Sequence, residues 1–439
     1  MRFLPGGSQI VYLHSSDLSQ MFASDEDGSH SRSLAHLPRD LVGGFALSSF
    51  AFSPDGRRMR YGTSDGKMWE SHVDGTQKRS ILPGFHEAFC CLRWLPKTKL
   101  FLLASPVERV YNLWAISESG WSRIFPRSRP TQLTFGSISF QSATASGGGK
   151  QAFASGGTLR GELSIYDAQS GLLRKYLGGI SAGFTDFSRD GQWIAYVTHP
   201  QGMLWRSRID GSERMQLTFP PMGPIINPKW SPDGHSIAFT EWGTQSKVHL
   251  VSADGGATVR LLSGDFNPND PSWSPDGKFF AYALLIASPE ARTEIRILDL
   301  VTRQSRTVPG SSGLRSPRWS PDGRYLLAIS SDMTQLWLYA FEDEHWRQLL
   351  LPKLPKSASV GWPSWSHDGH YLYYMSGSTV YRASIPSGQP ELVANATGID
   401  IECPALPWGN WFGLTPDDHI LMLADRKVEE IYALDLEYR

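Results

Sequence analysis

Residues 229–242 read KWSPDGHSIAFTEW, and the motif returns at 272–285 as SWSPDGKFFAYALL and at 318–330 as RWSPDGRYLLAIS. Ser231-Pro232-Asp233-Gly234 has the chemistry of a tight turn. Proline presets φ near −65° at the second position, aspartate bonds nearby backbone from the third, and glycine takes a left-handed φ without a steric penalty. A type I turn followed by such a glycine joins two antiparallel strands. Ser236–Thr240 then reads as a strand, with Ile237 and Phe239 on one face and the small Ala238 and Thr240 on the other. Trp230 ends the preceding strand, where a large flat ring packs between stacked sheets. The motif is therefore a β-hairpin with an aromatic anchor.

Clear copies stand at 52–56 (FSPDG), 187–191 (FSRDG), 230–234, 273–277, 319–323 and 365–369 (WSHDG). Degenerate ones stand at 3–7 (FLPGG), 94–98 (WLPKT), 146–150 (SGGGK) and 414–418 (LTPDD), for about ten units. From Asp190 the aspartates are spaced by 43, 43, 46, 46 and 49 residues. One period holds four short strands, Pro228–Trp230, Ser236–Thr240, Lys247–Val251 and Thr258–Leu262, with an Asp-Gly turn between the last two. A period in the forties with four strands and no helical pattern predicts an all-β chain of four-stranded propeller blades. Asp55, Gly56, Asp190, Gly191, Asp233, Gly234, Asp276, Gly277, Asp322, Gly323, Asp368 and Gly369 are read as turn residues, not as metal ligands or catalytic acids.

About ten units exceed the four to eight blades of one propeller. The expectation is one closed ring of six or seven blades and a second, incomplete propeller, with domains at 1–170 and 171–439. The last unit, from Trp411, shows three strands and stops. Leu172–Leu177 is expected to supply its fourth and so close a six-bladed ring; a seven-bladed ring borrowing Thr131–Phe135 is the alternative.

The motif copies, the Asp-Gly turns at 73–76 and 209–212, and the QLTF segments at 132–135 and 216–219 resemble the TolB-type β-propeller repeat. That repeat is related to the propeller of dipeptidyl peptidase IV-like enzymes. The segments 86–96, 159–167, 186–221 and 411–438 also resemble the C-terminal propeller of bacterial winged-helix regulators and serine/threonine kinases. The resemblance implies a binding or sensory module with a protein or peptide partner, or a small ligand instead. A TolB-like periplasmic scaffold and a propeller hydrolase or severed peptidase propeller are the rivals.

Composition narrows the functional classes. The 439 residues carry a formal net charge of −1, with 19% charged residues, 42 glycines and 29 prolines. No global field draws the chain to nucleic acid, and no basic cluster tracks phosphates. No run of 18 apolar residues occurs, so no membrane segment is expected. Without a signal-peptide core the chain reads as cytoplasmic as written, or periplasmic if an export or membrane segment precedes it. Cys90, Cys91 and Cys403 form no disulfide framework.

Four constellations invite chemistry. Gly179-Ile180-Ser181-Ala182-Gly183 matches a nucleophile elbow, but a blade strand follows where that motif needs a helix. His86, Cys90 and Cys91 lack the second clip of a zinc site. Ser24–Gly28 is acidic but without the ligand spacing of a calcium loop. No phosphate loop or dinucleotide motif is present. No catalytic residue, metal or cofactor is therefore expected. There remains the rim of the central channel, to which the segments before each motif lead. Asn227, Asp270, Arg315, Trp362 and Trp408 are the candidate ligand-binding residues there.

Overall fold

The computed structural model describes residues 2–5, 9–14, 17–37, 50–63, 67–82, 89–95, 98, 100–107, 110–117, 130–146, 151–243, 245–262, 267–286, 292–352, 359–385, 388–402 and 410–435. The described residues form antiparallel sheets without a helix. The chain divides into two compact units, residues 160–426 and residues 1–159 with 427–439.

The first of these is a ring of six four-stranded sheets. Sheet one runs Ala182–Phe187, Trp193–Thr198, Leu204–Arg208, Met215–Gln216. Sheets two to five begin with Ile225–Trp230, Asn267–Trp273, Leu314–Trp319 and Val360–Trp365, and repeat that up-and-down order. Each of these first strands packs against the next, and Phe412–Leu414 of sheet six returns to Ala182–Phe187, closing the circle. This is a β-propeller, and the innermost strands line its axis.

Closure differs in detail from the sequence expectation. Sheet six takes Phe412–Leu414 and Ile420–Asp425 from the end of the unit, and Gly161–Asp167 and Leu172–Lys175 from its start. Leu172–Lys175 is indeed the outer strand, but the third strand is Gly161–Asp167. Val428–Asp435, expected in that place, pairs instead with Gln151–Thr158 in the other unit. Neither GELSIYD nor VEEIYALD alternates strictly between apolar and polar residues, so periodicity alone does not choose between them.

The repeated motif is a staple as well as a turn. The Ser231 hydroxyl donates to Asp233 Oδ1 at 2.5 Å and accepts from the Ser236 amide at 2.9 Å. The same carboxylate oxygen accepts from the His235 amide at 3.0 Å. Gly234 stands at φ +74°, and Gly369 at +73°. The anchors bind sheet to sheet. The Trp273 indole donates to the Lys229 carbonyl at 3.1 Å, and Trp365 to that of Arg318 at 3.0 Å. Trp319 stacks between Phe279 and Phe341. Phe239, Phe280, Tyr282, Tyr339 and Tyr374 are fully buried between sheets, and each such side chain contributes about 1.5–3 kcal/mol through burial.

The other unit holds four sheets. Those starting with Arg2–Phe3, Phe50–Phe52 and Cys90–Trp94 have four strands, and the fourth has Ser139–Ala145, Gln151–Thr158 and Val428–Asp435. Buried Glu70 anchors the second sheet by pairing with Arg60 at 2.8 Å and also with Arg79.

Candidate functional site

Each innermost strand of sheets one to five carries a β-bulge, at which two residues face one on the neighbouring strand. In every case the first bulged residue has positive φ: Phe184 (49°), Asn227 (48°), Asp270 (59°), Ser316 (54°) and Trp362 (54°). Each lies three residues before the aromatic anchor. Asparagine and aspartate accept this conformation readily, whereas a left-handed phenylalanine or tryptophan is an outlier. Bulges re-aim side chains, and here they bring a set of side chains together around the axis.

Two cavities meet at this level. One, of about 180 Å³, is lined by Phe184, Asp186, Lys229, Trp411, Asp418 and their neighbours. The other, of about 30 Å³, is lined by Ile226, Trp242, Asp270, Arg315, Ser316 and Met333, among others. Asn227, Arg318, Trp362 and Pro363 line both and so form the partition between them. Two of the partition's polar groups meet on Asp270 of the second cavity. The Asn227 amide donates to Asp270 Oδ1 at 2.9 Å, and Arg318 Nη1 lies 2.7 Å from the same oxygen. Across the axis Trp362 packs on Phe184 with ring centres 5.3 Å apart, and Trp411 meets Phe184 edge-on at 6.1 Å.

The electrostatics are mostly paired. Lys229 Nζ sits 2.7 Å from Asp186 Oδ1, and the Trp230 amide donates to the other oxygen of that carboxylate at 2.8 Å. Burial pulls the Arg315 guanidinium below its ordinary range, and the Asp270 charge opposes that shift. Burial raises the Asp418 carboxyl, although the His367 amide donates to it at 3.0 Å. Among the described residues one donor at the partition stands out. The Trp362 indole nitrogen is buried and has no hydrogen-bond partner.

Four of the five candidate residues from the sequence, Asn227, Asp270, Arg315 and Trp362, thus line one cavity; Trp408 lies outside the described residues. Arg315 is one position off the bulge, which falls on Ser316. The sequence reading missed Phe184, Arg318 and Trp411. Counting three back from each anchor would have found Phe184 and Ser316. Arg318 carries no such signal, because it precedes its anchor directly.

The other constellations resolve into structure. Ser181 Oγ donates to the His199 carbonyl at 2.8 Å and accepts from the Gly161 amide at 2.9 Å. It joins sheet one to sheet six. The His199 ring is buried with neither nitrogen hydrogen-bonded, and its Nε2 is 4.0 Å from Glu402 Oε1. Burial pushes this imidazole down to about 4. Gly28 closes a turn by donating to the Asp25 carbonyl at 2.9 Å, and Asp27 accepts from the Ser29 amide. Cys90 and Cys91 are half-buried and not joined in a disulfide, and His86 and Cys403 lie outside the described residues. Among the described residues no group of three His, Cys, Asp or Glu side chains could hold a metal ion. Among the described residues no helix is long and apolar enough to cross a membrane.

No protein-family profile matches the chain. An uncharacterized protein of Agrobacterium fabrum is 33% identical over 111 residues, which is 22% of this chain and 38% of that protein. A tricorn protease homologue of Streptomyces coelicolor is 33% identical over 119 residues, 27% of this chain and 9% of its own. The Tol-Pal system protein TolB of Alcanivorax borkumensis is 32% identical over 98 residues, 21% of this chain and 22% of TolB. The chain therefore spans well under two thirds of the length of these relatives. A solved structure from Agrobacterium tumefaciens, provisionally given the TolB name, aligns over 61% of this chain and 99% of its own, at 19% identity and a TM-score of 0.48. The sheet order and ring closure described above establish the propeller on their own.

Proposed function

We propose that this chain is a non-catalytic propeller scaffold that holds a protein or peptide partner at the channel partition. The observation that carries this reading is the Trp362 indole N–H, buried between two cavities without a hydrogen-bond partner. A buried polar group left unpaired costs about 1–3 kcal/mol, and a carbonyl from an inserted peptide would satisfy it. The aromatic wall of Phe184, Trp362 and Trp411 suits an apolar side chain of that peptide. Arg315, which lines the second cavity with Trp362, suits a carboxylate. An aromatic wall with a few convergent polar groups is what peptide and ligand sites present.

Of the two scaffold-like readings, the TolB-like one has the firmer support, since TolB is among the relatives that share the repeat. The reading as the sensory propeller of a transcriptional regulator or kinase rests on the sequence resemblance alone. The enzymatic reading is disfavoured by the Ser181 geometry, because its hydroxyl hydrogen is committed to a backbone carbonyl rather than to a base.

The test is selection of peptides from a random display library against the whole chain, followed by titration of the selected peptides. Trp362→Ala and Arg315→Ala are each expected to weaken binding at least about tenfold while the melting temperature falls by only a few degrees. Peptides that bind both variants as tightly as the parent chain would place the site elsewhere.

A further inference from the structure

Nine of the ten sheets end in a fourth strand of two to five residues. Short outer strands are a known protection against edge-to-edge pairing. The tenth sheet departs from this pattern. Its third strand, Val428–Asp435, pairs along all eight residues with Gln151–Thr158, and no other described strand pairs with its outer edge. Ile431 is 71% exposed and Val428 57%.

The edge is complementary to itself. Tyr432 and Leu434 face the core, Tyr432 packing on Phe140, while Ile431 shares the opposite face with half-exposed Phe153. In an antiparallel pair related by a two-fold axis, residues opposite each other lie on the same face. Two such registers pair seven of the eight strand residues, 428–434 or 429–435. The second, centred on Tyr432, sets Glu429 against Asp435 twice, and like charges directly opposite are destabilising. The first, centred on Ile431, has no such clash. It places Ile431 on its own copy, Val428 on Leu434, Glu429 on Ala433 and Glu430 on Tyr432. One step beyond the strand it sets Lys427 opposite Asp435, twice. Within one copy Lys427 lies 3.4 Å from Glu429, and Asp435 accepts from Gln151 at 2.8 Å; both pairs are at the surface.

We propose that Val428–Asp435 is a self-association edge, through which two copies of this chain pair antiparallel about Ile431. The pairing extends the three-stranded sheet to six strands across the two-fold axis and covers the exposed Ile431 on both copies.

Sedimentation velocity over a wide concentration series, on the full chain, tests it. The parent chain is expected to show a monomer–dimer equilibrium. Ile431→Lys should weaken it at least about tenfold by setting two lysines together, and circular dichroism should be unchanged because the side chain is exposed. Lys427→Asp should weaken dimerisation several-fold, and Lys427→Asp with Asp435→Lys should restore it. A parent chain that stays monomeric overturns the proposal, even if the edge captures some other extended peptide. A dimer insensitive to Ile431→Lys, or a charge reversal that the double variant does not rescue, also overturns it.

Discussion

The hairpin that opens each sheet is closed in two ways in this molecule. In the ring, Ser231 bonds both Asp233 and the Ser236 amide, and Ser188, Ser274, Ser320 and Ser366 do the same in their own sheets. Among the described residues of the other unit, only Ser53 repeats the full arrangement. The turn after Leu95 uses a hydroxyl from inside the loop, Thr98, which accepts from the Leu100 amide at 3.1 Å. The turn after Ser146 keeps its hydroxyl, with Gln151 donating at 3.2 Å. Yet all of these turns share the backbone bond that closes the hairpin, as in Leu4 to Gln9 at 2.9 Å and Ser231 to Ser236 at 2.8 Å. The sheet needs the backbone bond; the serine–aspartate staple is an added stabiliser that some turns do without.

The largest effects should come from the left-handed glycine of the stapled turns. At Gly234 a Cβ meets nothing within 4 Å, so Gly234→Val costs only the backbone strain at φ +74°, about 1–3 kcal/mol. At Gly369 a Cβ meets Pro321 of the preceding sheet at 3.4 Å, so the methyls of Gly369→Val add a steric cost. The expected order of melting temperature is parent, then Asp233→Asn, then Gly234→Val, then Gly369→Val. Equal values for Asp233→Asn and Gly234→Val would break the turn assignment.

Next in size is the hydroxyl. Ser231 is buried, so Ser231→Ala strands the Ser236 amide and should cost about 1–2 kcal/mol. Ser146→Ala removes a longer bond in a turn without the aspartate, and should cost less than about 1 kcal/mol. Denaturant unfolding of the two variants measures the difference. A larger loss at Ser146 would mean that the two kinds of turn are not distinguished by the staple.

These same residues explain what could be read from the sequence. The blades were legible because proline, aspartate and glycine each have a narrow conformational use, and their spacing survives even where the aromatic anchor changes from tryptophan to phenylalanine. Gly161–Asp167 was not legible as the third strand of the closing sheet. Neither it nor Val428–Asp435 alternates strictly, and the choice depends on long-range pairing that local pattern does not carry. At the channel, Asn227, Asp270 and Trp362 were legible because they keep a fixed offset from the anchor. Arg318 was not, because its position depends on reaching Asp270 across three intervening strands of chain, in the neighbouring sheet.

A smaller effect should appear at acid pH. The Ser366 hydroxyl, then the His370 amide, hold Asp368 down to about 2. The Asp190, Asp233 and Asp276 carboxyls are likewise held below their ordinary value by serine hydroxyls and backbone amides. A depressed folded-state value means stabilisation that is present above the unfolded value, near 3.8, and is lost as pH falls through the folded one. The ring should therefore lose stability between about pH 4 and pH 2. Asp368→Asn should flatten that slope slightly, since the side chain is half-exposed. A slope unchanged in the variant would remove Asp368 from the account.

The smallest expected effect, on catalysis, is none at all. Ser181 lies at the seam between sheets one and six, and its sequence context is the one in this chain that resembles a nucleophile elbow. A serine nucleophile needs a base to take its proton and donors to hold the oxyanion. The Ser181 hydrogen instead goes to the His199 carbonyl, and its oxygen accepts from the Gly161 amide. The His199 imidazole has neither nitrogen hydrogen-bonded, so Ser181 Oγ is not among its partners, and burial keeps it neutral through mild acid. Ser181→Ala should thus leave ester and peptide hydrolysis at background in both forms. Stability should fall by about 1 kcal/mol from the stranded Gly161 amide. Turnover in the parent chain that disappears in Ser181→Ala would overturn the scaffold reading; a stability loss without turnover would place this serine with the staples of the other turns.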